Sequence, residues 1–371
     1  MIVPSHFVPL AAPGMIALGL KWMWNPESPF YIRPRLSWDL LSWLWRFQRA
    51  CSDKHVKRSA PLLRDLHLAS RERFQDLASS LGSDFEFTPN GLLMLCRSEH
   101  ALAEETQTAE MANDLGVDAE VLDSNETSKR DPAIEMNVLG SVYYPRDCHL
   151  SPNQLMSSLQ LKLEEKGCRF LWQTSCNGFE FSGDRIHRVE TSGESIACDE
   201  LVLCGGAWSP ELGKELDIQL PMQAGKGYSV TLPAPPEQPS ICSILTEARV
   251  AVTPMGSSLR FGGTMEIAGN DETISNSRVR GIIRSVPEYF PKFNESDFQA
   301  CQPWVGLRPC SPDGLPYLGR PSRWKNVVVS TGHAMMGISL AAISGTLVAD
   351  IIDQRKLPIQ NVELLSPDRY G

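Results

Sequence analysis

Near the C-terminal end of this 371-residue chain, Gly332 and Gly337 bracket the turn G-H-A-M-M-G, which follows the β-branched run 327–330 and leads into an apolar stretch from Ile338. Glycines at both ends of a turn let the backbone come close to a ligand. A helix opening there presents unpaired N–H groups and the positive end of its dipole, so an anion, or a group that becomes anionic during a reaction, is the natural guest. Upstream, Arg308 carries a planar, permanently charged fork that matches a carboxylate, although an inter-strand ion pair would use it equally well. Tyr228 offers a hydroxyl to a substrate, or is a half-buried strand tyrosine. His333 sits inside the turn and His6 near the start of the chain, both weaker candidates. Met335 and Met336 are polarizable and uncharged; they suit an apolar or aromatic guest, or simple packing.

Composition narrows the chemistry. Acidic residues outnumber basic ones by 44 to 35, giving a net charge of −9 without a long basic run, which argues against a nucleic-acid partner. The ten cysteines form no C-x-x-C pair, and the seven histidines show no H-x-x-x-H spacing, so no metal site is expected. The cysteines read as buried thiols in a reducing compartment. Hydrophobic residues make up 42%, enough for a packed core of two domains.

The elements that must position these residues follow from spacing. Residues 327–330 read as a strand, and Leu340, Ile343, Leu347 and Ile351 recur at helical spacing after the glycine turn. Ala342, Gly345 and Ala349 give that helix a small-residue face, suited to a sheet or a flat ligand. A second strand, 201–204, runs into Gly205, Gly206, Ala207 and Trp208. Residues 1–20 contain Pro4, Pro9 and Pro13 and read as an extended loop. Residues 22–51 hold five of the nine tryptophans, with a helix from Leu36 and the cations Lys54, Lys57 and Arg58 beyond it. Such a segment can lie on a bilayer surface, but its rings are expected to pack in the core or cover a substrate cavity and the protein to stay in solution. A helix over 61–81 stopped by Gly82, a hairpin over 85–96 turned by Pro89-Asn90-Gly91, a Ser98-capped helix ending near Gly116, and a Ser151-Pro152 helix with Gly167 beyond its end come next. A strand over 168–174 and a hairpin through Gly183-Asp184 precede residues 201–204. Residues 219–302 are mostly strand, with one helix over 278–286.

Taken in order, the motifs G-L-R-P (306–309), P-D-G-L-P (312–316) and G-H-A-M-M-G (332–337), preceded by L-V-L-C-G-G-A-W-S (201–209), K-G-Y-S-V-T (226–231) and L-R-F-G-G-T-M-E (259–266), resemble the FAD-dependent D-amino acid oxidase and dehydrogenase family, and most of all its bacterial D-amino acid dehydrogenase branch. The resemblance implies a mixed α/β fold. A Rossmann-like FAD-binding domain (1–20, 145–216 and 303–371), incomplete at its N-terminus, interleaves with a substrate domain on a mixed, largely antiparallel sheet (21–144 and 217–302). It places Cys176 near the adenine, Gly205, Gly206, Ala207 and Trp208 along the phosphates or ribose, and Gly332, His333, Met336, Gly337 and Ile338 at the flavin. Arg308 would clamp the substrate carboxylate, with Tyr228 and Met335 beside it.

The family opens with a strand, a G-x-G-x-x-G turn and a helix that hold the FAD pyrophosphate, and no G-x-G-x-x-G occurs in these 371 residues. Met1 is therefore expected to be an internal methionine, or the chain a fragment or degenerate paralogue. The function implied is oxidation of a D-amino acid to its imino acid, with electrons passed to the respiratory chain rather than to oxygen. Secondary amines resembling proline, hydroxyproline or sarcosine are a second substrate class, and a non-catalytic remnant that binds small carboxylates or a partner is a third reading. The location implied is cytoplasmic, with attachment to the inner membrane periphery left open. This chain alone is expected to hold FAD weakly. Flavin absorbance of the purified protein measures it, and a stoichiometric yellow protein would contradict the expectation.

Overall fold

The computed structural model describes residues 1–22, 27–81 and 85–371. Pro13-Gly14 leads into α1 (Met15–Trp22), and the strand β1 (Phe30–Ile32) precedes α2 (Trp38–Ala50), which turns Leu40, Trp43 and Phe47 inward. The long helix α3 (Asp53–Ser80) is capped by the Ser52 side chain, which accepts from the His55 N–H. Then come β2 (Leu92–Cys96), α4 (Glu99–Asp114), β3 (Glu120–Asp123), α5 (Ser124–Arg130), β4 (Gly140–Tyr144) and α6 (Pro152–Glu165). A small antiparallel sheet of β5 (Cys176–Ser182), β6 (Arg185–Thr191) and β7 (Ile196–Ala197) leads to β8 (Leu201–Leu203) and α7 (Ser209–Glu215). The chain continues through β9 (Gln223–Leu232), β10 (Cys242–Leu245), β11 (Val250–Met255), β12 (Ser258–Ile267), α8 (Asn276–Tyr289) and β13 (Trp304–Cys310). It closes with β14 (Tyr317–Gly319), β15 (Val327–Thr331) and α9 (Gly337–Ile352).

The large sheet runs β13-β9-β12-β11-β10-β2-β4-β3, with β1 parallel to the end of β12; all its pairs are antiparallel except β1 with β12 and β10 with β2. Side chains alternate between its faces. Leu93, Leu95, Val230 and Phe261 pack under α8, while Leu92, Met94, Val142 and Tyr144 face α3 and α9. A second sheet pairs β8 in parallel with β15, and β14 antiparallel on the other side. α9 returns along it and packs on α3, β14 and β15. With its lead-in, Ala334–Ile352 is long and apolar enough to cross a membrane, but this packing makes it a core helix.

Several expectations from the sequence need correction. Residues 15–22 form a helix where an extended loop was expected, because no proline follows Pro13 there. α3 starts at Asp53 and runs through Pro61, so Lys54, Lys57 and Arg58 lie in its first turns; the Ser52 cap fixes the start. The expected stop at Gly82 falls outside the described residues, as does Trp24. No hairpin forms over 85–96. β2 is buried along its whole length and takes β4 and β10 as neighbours, leaving Thr88 a single bridge to His149. Residues 168–174 form no strand, since no neighbour lies alongside them among the described residues; Leu171 and Trp172 are exposed there. Residues 304–310 extend the large sheet rather than the second one, held by seven paired positions on β9. All ten cysteines are free thiols, but only Cys96, Cys148, Cys242 and Cys310 are buried, and Cys168 and Cys204 are exposed.

An ion pair ties the C-terminus to the loop after β13. Arg369 donates through Nε and Nη2 to the Asp313 carboxylate at 2.8 and 3.1 Å and to the Leu315 carbonyl at 2.7 Å, and its guanidinium lies 3.8 Å from the Tyr317 ring centre. Both side chains are 12% exposed. Burial alone would raise the Asp313 carboxyl, yet the adjacent guanidinium holds it below the usual carboxylate range. Removing one partner strands a buried charge, so Arg369→Ala is expected to cost roughly 3–5 kcal/mol in urea unfolding. A loss under about 1 kcal/mol would show that the pair is not structural.

Candidate active site

β8 and β15 run in parallel with Leu201 opposite Val327, so their C-terminal ends lie side by side, the usual place for ligands in an open α/β sheet. Each end carries a glycine turn. After β8, Gly206 adopts φ +55 with open space where a Cβ would stand, and residues 206–208 form a short 3₁₀ turn. After β15, Gly332 adopts φ +77, and a Cβ there would lie 2.8 Å from the Tyr317 ring. The two turns are tied together: Ser209 Oγ donates to Thr331 Oγ1 at 2.8 Å, and Thr331 Oγ1 donates to the Gly206 carbonyl at 3.3 Å. Ala207 is buried and Trp208 half exposed.

α9 starts at Gly337 directly after a 3₁₀ turn at Ala334–Met336, and no side chain caps its start, so its dipole points into the turn uncovered by a side chain. His333 bridges Cys310 through the backbone, and its Nε2 lies 2.9 Å from Ser344 Oγ. Desolvation pulls its imidazole down to about 4, so it is neutral near pH 7 and orients the turn rather than carrying charge. Met335 is exposed, but Met336 is buried with its sulfur 3.3 Å from His67 Nε2. His67 Nδ1 lies 2.8 Å from Ser339 Oγ, which also accepts from the Val3 N–H at 2.9 Å. Ile338 is half-buried, and along α9 Ala341, Gly345 and Ala349 are exposed, with open space beside Gly345; Ala342 itself packs inward against the neighbouring cluster.

Arg308 lies on the face of the large sheet directed at α9. Its pairing with Gly225, and that of Gly306 with Gly227, puts all four on one face, together with Gly262 opposite Ser229. The floor beside the guanidinium is thus almost free of side chains, and a Cβ at Gly227 would collide with Arg308 itself. Arg308 Nη1 donates to the Thr264 carbonyl at 2.7 Å, which the bulge after Gly263 and a φ of +67 at Thr264 aim at it. No carboxylate among the described residues pairs with Arg308, so the inter-strand ion pair is absent there. Burial lowers its pKa without discharging a guanidinium. Arg260, which the sequence reading missed, lies with its guanidinium carbon 5.3 Å from the Trp304 ring centre.

Tyr228 is a correction. Lying between Gly227 and Ser229, it points to the opposite face, under α8, where its hydroxyl donates to Glu266 Oε2 at 2.7 Å; burial and that carboxylate raise its pKa. Lys226 shares this face, 3.2 Å from Asp271 and 3.7 Å from Glu266. Cys176 opens β5 in the separate antiparallel sheet, half-buried, on an element that packs near α7 rather than on β15. His6 Nδ1 meets Ser5 Oγ at 2.9 Å, and Ser5 also bonds the buried Asp147. No metal-binding cluster occurs among the described residues.

The buried imidazoles set an acid limit. Desolvation pulls His67 down to about 3 and His149 to about 4, against about 6.5 for a free histidine. The unfolded chain therefore binds protons there that the folded chain does not, and stability present above about pH 6.5 is lost as pH falls towards those values. Asp147, raised to about 7 by burial, has the opposite sign: its contribution is present below about 4 and lost as pH rises through 7. His6 and His333, both also pulled down to about 4, act with these two, while Glu105, raised by burial, acts with Asp147. Between pH 6.5 and 4 the four imidazoles outweigh the two carboxyls by about two protons, roughly 3 kcal/mol per pH unit. Urea unfolding at pH 7 and pH 5 is expected to show lower stability at pH 5; equal or greater stability at pH 5 would contradict this balance.

The two linked turns, the uncapped start of α9 and the exposed small-residue face fit the flavin end of FAD, whereas the pyrophosphate motif is not among these residues. Comparison with known proteins identifies the family. Residues 22–351 match the family model described as FAD dependent oxidoreductase. The chain is 31% identical over 368 residues to a D-amino acid dehydrogenase of Granulibacter bethesdensis, covering 98% of this chain and 87% of the relative. A D-amino acid dehydrogenase of Methylobacterium nodulans is 30% identical over 375 residues, covering 100% and 88%. In fold, the chain resembles glycine oxidase from Geobacillus kaustophilus (TM-score 0.76, 23% identity, 84% of each chain) and L-proline dehydrogenase from P. horikoshii (TM-score 0.72, 20% identity, 83% of each chain). On the motifs, the fold and these matches, the chain belongs to the DAO family of FAD-dependent oxidoreductases.

Proposed function

We propose that this chain oxidises a D-amino acid to its imino acid, which water then hydrolyses to a 2-oxo acid and ammonia. The observation that carries the reading is Arg308: a half-buried guanidinium with no carboxylate partner among the described residues, lying on a glycine floor one strand-end away from the Gly332 turn. A carboxylate is the group such a fork accepts in two places. The names of the relatives point to the same substrate class.

FAD, when bound, supplies the acceptor for the hydride that leaves the substrate Cα. The chain's own residues do the rest. Gly205, Gly206, Ala207 and Trp208, with Gly332, His333, Gly337 and Ile338, would hold the flavin end, and the uncapped N–H groups of α9 favour negative charge there. Arg308 fixes the carboxylate and thereby the orientation of the Cα–H bond. The substrate enters as the neutral amine, whose nitrogen lone pair drives hydride departure, so no protein base is required for that step. His333 stays neutral and Met335 offers an exposed apolar side chain beside the turn. Electrons are proposed to pass to an acceptor other than oxygen, which the relatives' description as dehydrogenases supports.

The test is steady-state kinetics with FAD in excess and an artificial acceptor, on D-amino acids, secondary amines and the decarboxylated amine. Arg308→Ala is expected to lower kcat/KM on the acid by about two to four decades, the equivalent of roughly 3–5 kcal/mol for a stranded charge. Arg308→Lys is expected to recover part of that, and the decarboxylated amine to be a poor substrate for both parent and variant. Activity of Arg308→Ala within a few-fold of the parent would overturn the assignment.

A further inference from the structure

Arg260 stands on the same face of the large sheet as Arg308. It pairs with Thr231 on β9 while Arg308 pairs with Gly225, an even number of positions away along that strand, so both side chains rise from one side. Between them the floor is made by Gly227, Ser229, Gly262 and Gly306, and the Trp304 ring lies across Gly306, 60% exposed. The two arginines lean towards each other. The Arg308 guanidinium lies over Gly227, and Arg260 reaches the ring of Trp304, the residue opposite Ser229. The step from Gly227 to Ser229 is about 7 Å of strand.

Neither cation has an anionic partner. Among the described residues Arg260 meets no carboxylate and makes no hydrogen bond; a guanidinium lying over an indole keeps its N–H edge free. Burial lowers the pKa of Arg260, and burial, with the Arg260 charge added, lowers that of Arg308. Two like charges thus face one open floor, an arrangement that an arriving anion relieves. A substrate with a single carboxylate satisfies Arg308 and leaves Arg260 unmatched beside its side chain. A short acidic side chain satisfies both, since each carboxylate meets its guanidinium at about 3 Å. We propose that Arg260 selects a substrate with a second carboxylate on its side chain, an acidic D-amino acid. The inference rests on the reaction proposed above, with Arg308 as the clamp for the first carboxylate.

The experiment sets each acid against its uncharged isostere, D-aspartate with D-asparagine and D-glutamate with D-glutamine, in steady-state kinetics with FAD in excess. The parent is expected to favour acid over amide by roughly tenfold to a hundredfold in kcat/KM, the worth of one charged hydrogen-bonded contact. Arg260→Gln is expected to bring that ratio near one, and Arg260→Lys, which keeps the charge but not the fork, to keep part of it. Circular dichroism checks the fold of both variants. A parent that turns over the amides as well as the acids, or a folded Arg260→Gln variant that keeps the preference, would overturn the proposal while leaving the reaction standing. Calorimetry with glutarate and butyrate separates the two readings, because it needs no turnover. Tighter binding of glutarate, lost in Arg260→Gln, without turnover of any amino acid would support the paired arginines and contradict the reaction. Equal affinity of the parent for the two acids would overturn the pairing.

Discussion

The site depends on how the end of β13 is anchored. Arg308 belongs to the large sheet and the Gly332 turn to the second one, and neither can act on a shared ligand unless the sheets are fixed to each other. Cys310 does this with its backbone. It bridges His333 on one side and accepts from Trp43 Nε1 on the other. Just beyond it, the Asp313 and Arg369 pair locks the following loop to the chain's last turn. A shift at this junction would move the guanidinium relative to the helix start, and displacements of about an ångström are costly for positioned chemistry.

The electrostatics favour a visiting anion over a resident one. The half-buried Arg308 makes one hydrogen bond to a carbonyl, and that carbonyl is aimed by a residue in a conformation non-glycine residues rarely adopt. Among the described residues, the groups around it add no negative charge: His333 is neutral, and Glu266, Asp271 and Tyr228 sit on the opposite face of the sheet. A carboxylate arriving beside Arg308 therefore meets an unmatched cation in a poorly solvated place. The same glycines that leave room for it, Gly225, Gly227 and Gly306, allow the guanidinium to lie flat.

What the sequence disclosed was local or carried by a motif. The strand, glycine turn and helix around Gly332 are contiguous, and their hydrophobic spacing was sufficient to place them. Arg308 was marked by its G-L-R-P setting. The face of Tyr228 follows from the register of β9 on β13, where it pairs with Val305, 77 residues away in the chain, which no local pattern encodes. The contacts that secure the helix start were invisible for the same reason: His67 reaches Ser339 across 272 residues and Met336 across 269. Pro61 suggests a helix start from the sequence, although Ser52 caps the helix about two turns earlier. Trp43 packs as expected of a core ring, whereas Trp38 and Trp45 on the same helix face outward, a division that follows from their position round the helix.

The central claim is that Arg308 and the Gly332 turn address one bound molecule. The most direct measurement is the visible spectrum of FAD held in excess over the protein during titration with a non-oxidisable carboxylate. The account requires a saturable change in the flavin bands, because a carboxylate held by Arg308 would stand against the ring. Carboxylate binding seen by calorimetry at Arg308, with the flavin bands unchanged, would contradict it.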